Sequence, residues 1–302
     1  MSNKKIIIIS LTVVVFCIAA YFCYIMIAGW QQKRTGADVN QDLITLQVKN
    51  DSLRRELSAL EEEISRLKGS KDISARLEEV FGNKASLLSL TKMDLTFKEI
   101  EELVMEFFSY IDEKGYVTRN KLTGSAYSQY EILENDLSMT VPISSGETEN
   151  LYHLAQNAGH FFRVLGKQRL FLVKDILTDE SDVIEFAMKT FYIWYTYENE
   201  NGKRMKDRPS LQTLYDYSSF FLNSLGGRGY LLRRDSKIRI LTSFYSVLII
   251  DMANDKKLNS NGIDIRPFIK TTYDDVNDNL SLTDKVEYLA ELDKLKIKYK
   301  IP

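Results

Sequence analysis

Cysteine is nearly absent from this chain. The two thiols, Cys17 and Cys23, both lie in the apolar amino-terminal stretch, so disulfides and thiolate zinc sites are excluded from everything after Gln31. Histidine is as scarce, limited to His153 and His160. Charge of one sign is lacking too: 40 Lys and Arg against 42 Asp and Glu give a formal net charge of −2, which argues against general nucleic-acid binding. No run of alternating apolar residues is long enough for a sheet. What remains is a folded composition. With 302 residues, 44% hydrophobic and 27% charged, the chain holds one or two domains with real cores.

After a short tail, residues 1–5, with Lys4 and Lys5, the stretch from Ile6 to Trp30 carries no charge. As a helix it is roughly 37 Å long, enough for a hydrocarbon core of about 30 Å. Ala19-Ala20 falls midway with apolar residues continuing beyond it, so residues 6–30 are expected to be an uncleaved transmembrane signal anchor rather than a cleaved leader. Tyr24 and Trp30 suit an interfacial belt. Because Lys4 and Lys5 are matched by Lys33 and Arg34 on the other side, orientation is read from the short tail. That tail is expected in the cytoplasm, with the long carboxyl-terminal part extracytoplasmic, or periplasmic in a diderm bacterium.

Residues 31–70 form a linker and stalk. Heptads place Leu43, Asn50, Leu57 and Ile64 at a, and Leu46, Leu53, Leu60 and Leu67 at d. The unbroken 3-4 spacing predicts a left-handed coiled coil and therefore a partner helix. Asn50 at an a position favours a parallel, in-register dimer at some cost in stability. The flanks are mixed: Glu63 meets Lys68 favourably, whereas Lys49 faces Arg54 and Glu56 faces Glu61, so homodimer and heterodimer both stay open. A helix packing on its own domain is the alternative. Short tail, single span and Asn-containing zipper together resemble the small bitopic septum-initiation proteins of bacterial division. The resemblance covers about Ile6 to Gly69; those proteins lack a large helical carboxyl-terminal domain, so it does not extend to family membership.

Residues 71–302 are expected to be an α-helical head. Thr96 and Glu99 form a capping box, and Ile100, Leu103, Val104, Phe107, Phe108 and Ile111 mark one helical face. Tyr127–Leu137 is a weaker helical candidate. Ser144 and Glu147 are read as opening a helix that carries Leu151, Leu154, Ala155, Ala158, Phe162 and Leu165 up to Gly166, with further helices at 167–177, 181–197 and 209–225. Ser236–Ala253 is the most apolar stretch, too short between charges to span a bilayer, and is read as the central buried helix. Asn259–Pro267 reads as loop, and Ser281 with Asp284 as the capping box of a last helix. The expected fold is all-α: a single transmembrane helix, a coiled-coil stalk and a helical bundle of six to nine helices in order of magnitude.

Candidate chemistry is sparse. His153 and His160, seven residues apart on one expected helix, lie about 10 Å apart along its axis, too far to clasp one metal. Asp275, Asn277 and Asn279 hint at a calcium loop, but Leu280 replaces its glycine and Val286 its bidentate glutamate. Arg228, in Gly226-Gly227-Arg228-Gly229, together with Arg233 and Arg234, is a candidate anion or partner contact, with a solvated helix-helix turn as the alternative. Phe191, Tyr192, Trp194, Tyr195 and Tyr197 line either a pocket or a core. No catalytic, cofactor or metal constellation is legible, so a non-enzymatic scaffold is expected: anchored in the membrane, dimerising through the zipper, and binding another envelope component through its head. The alternative is a ligand-sensing receptor head that signals through a membrane partner.

Overall fold

The computed structural model describes residues 75–82, 88–90, 95–143, 150–198, 208–224, 227–229 and 236–301. The chain divides into two units, Met1–Ser65 and Arg66–Pro302, and every described residue belongs to the second. The expected span at 6–30 and the seam from Leu43 to Leu67 lie outside the described residues. Among the described residues no helix is long and apolar enough to cross a membrane. The head is all-α, with no strand among the described residues.

Helix α1 is described over 75–81. It is followed by α2 (Phe97–Glu113), α3 (Tyr116–Arg119), α4 (Ala126–Met139), α5 (Leu151–Asn157), α6 (His160–Asp179) and α7 (Ser181–Thr196). The remainder is α8 (Leu211–Asn223), α9 (Ser236–Asp255), α10 (Arg266–Asp278) and α11 (Lys285–Lys298). Thr96 caps α2 by the reciprocal bonds its sequence implies: its hydroxyl accepts from the Glu99 amide, and its own amide donates to Glu99 Oε2 at 2.8 Å. That fixes the rotation of α2. All six apolar residues of its face are buried, from Ile100 to Ile111, against Val183, Phe186 and Ala187 of α7.

A second core surrounds α9. Leu241, Phe244, Val247 and Ile250 are wholly buried because α8, α10 and α7 pack around this helix, and α11 adds Tyr288 and Leu292 to the same core. Each such side chain contributes about 1.5–3 kcal/mol through burial. Charges join the elements of the two cores. Glu185 on α7 accepts from Lys237 Nζ at 2.9 Å and from the amides of Thr283 and Asp284. One turn on, Lys189 pairs with Asp284 at 2.5 Å and Glu287 at 3.2 Å.

Three sequence expectations change. The loop expected over Asn259–Pro267 stops at Ile265: Arg266 and Pro267 already belong to α10, because proline in the first turn loses no helical hydrogen bond. The last helix begins at Lys285, and Asp284 makes no capping bond; its carboxylate is taken by Lys189. The helix read up to Gly166 is broken at Ala158–Gly159, and the described part starts at Leu151 under an Asn150 cap. Leu151 and Phe162 are therefore exposed instead of sharing a buried face. Ser144 and Glu147 lie outside the described residues.

Candidate functional site

The aromatic run on α7 divides between core and cavity. Phe191 meets Phe107 and Phe108 edge-on at 5.8 and 5.6 Å, Trp194 is buried beside it, Tyr192 lies against Tyr245 and Tyr197 against Phe97. Tyr195 touches Phe191 and Trp194 and also reaches a cavity. Its hydroxyl bonds that of Tyr130 on α4 at 2.8 Å, and both residues face this cavity of about 450 Å³.

Five helices build that cavity. Leu133 and Leu137 come from α4, Leu165 and Val173 from α6, Met188 and Tyr195 from α7, Leu214, Tyr217 and Phe221 from α8, and Thr242 from α9. Its volume falls in the range of small-molecule sites, roughly 300–1,000 Å³. A smaller hollow of about 290 Å³ shares Met188, Tyr195, Tyr217 and Thr242 with it. Burial drives the Tyr130 and Tyr217 hydroxyls well above the usual phenol range, with neighbouring Tyr195 and Asp216 adding to the effect at each. Thr242 spends its hydroxyl proton on the Ile238 carbonyl of its own helix. The walls thus offer mainly hydrocarbon, with a few hydroxyls and the Glu134 carboxylate.

The roof of the cavity is the corner where α4 ends and α6 begins. Asn157 holds the backbone of Ile143 from both sides, donating to its carbonyl at 2.7 Å and accepting from its amide at 3.1 Å. Tyr217 lies 3.1 Å from the Leu137 carbonyl, 3.2 Å from that of Thr140 and 3.0 Å from His160 Nε2. Since the one phenolic proton goes to a carbonyl, His160 donates from Nε2, which fixes the tautomer. Burial, helped by the Arg163 charge, pulls the imidazole pKa down to about 4. The outer side of the same corner is apolar: Met139 (80% exposed), Leu151 (81%), Tyr152 and Phe162 face solvent.

The other sequence candidates go elsewhere. His153 lies beside Tyr152 with the rings tilted at 59°, and among the described residues no group of three or more His, Asp and Glu has metal-holding geometry. Asp275 pairs with Arg239 at 2.7 Å, and Asn279 accepts from the Ser281 amide, so both are engaged within the fold. Arg228 turns back onto α8, donating from Nε to the Leu222 carbonyl at 3.0 Å, with its guanidinium over Phe268. Gly227 beside it is required by close approach: a Cβ there would stand 1.8 Å from the Phe220 carbonyl oxygen. Arg233, Arg234 and the seam residues lie outside the described residues.

No family model, curated protein or solved structure matches the chain. Sequence reasoning singles out Tyr195 and places a helix end at Gly166, where the backbone does leave helical geometry; Tyr217 and Asn157 carry no local signal.

Proposed function

We propose that the chain is a membrane-anchored scaffold that dimerises through a parallel zipper and presents its helical head to another component of a cell-envelope assembly. The observation that carries this reading is the uninterrupted seam Leu43, Leu46, Asn50, Leu53, Leu57, Leu60, Ile64 and Leu67, a short polar linker after the uncharged stretch Ile6–Trp30. In the proposed topology the tail is cytoplasmic and the head extracytoplasmic. The partner surface is the corner carrying Met139, Leu151, Tyr152 and Phe162. These four side chains are each exposed, as apolar groups at protein contacts are, and Asn157 and Tyr217 hold backbone on either side of them.

Placing a photocrosslinking amino acid at Tyr152 of the full chain in its native membrane tests the surface. The expected result is a discrete protein adduct that Leu151→Asp abolishes and that a crosslinker at exposed Lys270, on α10, does not form. Equal adducts from both positions, or none from Tyr152, would contradict it.

A further inference from the structure

We propose that the cavity between α4, α6, α7, α8 and α9 binds one neutral, mainly hydrocarbon molecule of the single-chain lipid-alcohol class, and that Gly166 is the hinge on which the His160–Leu165 wall opens to admit it. This goes beyond the scaffold role; only the internal reference of its test rests on the membrane anchor proposed above, and loss of that reference labelling would count against the anchor and not against the cavity.

The ligand class follows from the walls. Leu133, Leu165, Val173, Leu214 and Phe221 present hydrocarbon, which favours a ligand that leaves water with few polar atoms to satisfy. The Tyr130–Tyr195 hydroxyl pair supplies one polar spot, able to exchange hydrogen bonds with a single ligand hydroxyl. Tyr217 is committed to His160 and two backbone carbonyls. The carboxylate in the wall, Glu134, has an interaction of its own, and among the described residues the lining holds no Lys, Arg or His to receive an anionic headgroup.

The hinge follows from the backbone. Inside α6, Gly166 has φ 71° and ψ 173°, a conformation essentially confined to glycine. Nothing lies within 4 Å of where its Cβ would be, so packing does not demand glycine here; the bend does. It sets His160–Leu165, which contributes Phe161 and Leu165 to the cavity wall, apart from the rest of α6. That wall is latched by the His160–Tyr217 bond. An alanine at 166 disfavours the bent form relative to any form with ordinary φ, and so favours opening.

The test uses the full chain in lipid nanodiscs, a diazirine-bearing dodecanol as photoprobe, and mapping of labelled peptides by mass spectrometry. Labelling of Ile6–Trp30 peptides serves as the internal reference. The expected result is labelling of α4, α6 and α8 cavity residues, suppressed several-fold by dodecanol and much less by dodecanoate. Val173→Trp, which fills the cavity, should remove that labelling and leave the reference unchanged. Dodecanol competition on the wild-type chain keeps the test decisive should the variant misfold. Gly166→Ala should speed labelling several-fold. Labelling confined to the amino-terminal peptides, or indifferent to dodecanol, would overturn the site. Equal competition by dodecanoate would overturn the neutral class, and an unchanged rate in Gly166→Ala the hinge.

Discussion

His160 shows how one side chain can set a dependence on pH. The folded protein holds its imidazole neutral down to about pH 4, whereas an unfolded histidine takes up a proton near pH 6.5. Between those values the unfolded state binds more protons, so stability falls as the pH falls. Full protection of this site is worth about 3 kcal/mol, present above pH 6.5 and gone below pH 4. His160→Gln retains a donor for Tyr217 and cannot titrate. Denaturant unfolding at pH 7 and pH 4.5 should therefore show a smaller drop in the variant than in the wild type, by about 2 kcal/mol. Equal drops would place the proton uptake at other groups.

Among the elements, α7 is the one whose charges hold others in place. Lys189 is 5% exposed and answers both Asp284 and Glu287, while Glu287 also takes the Ser89 hydroxyl and the Leu90 amide. Burial raises the Asp284 pKa, with Lys189 opposing. Against burial, the Ser89 hydrogen bond and Lys189 hold Glu287 below its usual value. Lys189→Met should cost about 3–5 kcal/mol, as removing one partner of a buried pair does. The signs differ for the two carboxylates. A raised folded pKa stabilises on the acid side and loses that contribution as pH rises through it, so the Asp284 part of the penalty should shrink on acidification. Thermal melts of wild type and variant at pH 7 and pH 5 measure this; a gap that widens at pH 5 would contradict the assignment.

The same elements show what was legible in the sequence. Helix α2 was readable because cap, period and face agree from Thr96 to Ile111. Helix α9 was readable because its apolar residues surround the helix instead of striping it. Helix α10 was not, since Pro267 is both a common loop residue and a good first-turn residue. Asp284 was misassigned because a capping box is a local pattern, and a buried lysine ninety-five positions away in sequence outweighs it. The cavity was out of reach for the same reason. Tyr195 announces an aromatic helix, but Tyr130, Tyr217 and Leu165 join it only when five helices pack.

At the scale of the whole molecule, the proposed scaffold joins two chains through the zipper before either head meets its partner. Pairing of that kind would raise the effective concentration of the second head once the first has bound, adding avidity to the single contact. The direct measurement is disulfide trapping in native membranes, in a background with Cys17→Ser and Cys23→Ser. Those two are the chain's only thiols, so any cross-link reports the introduced cysteine alone. Leu53→Cys and Leu60→Cys, at d positions, are predicted to give a covalent dimer of the full chain under mild oxidation, and Glu62→Cys, on the outer face of the heptad, to give none. Monomer at all three positions, or equal cross-linking at Glu62→Cys, would contradict the parallel homodimeric stalk.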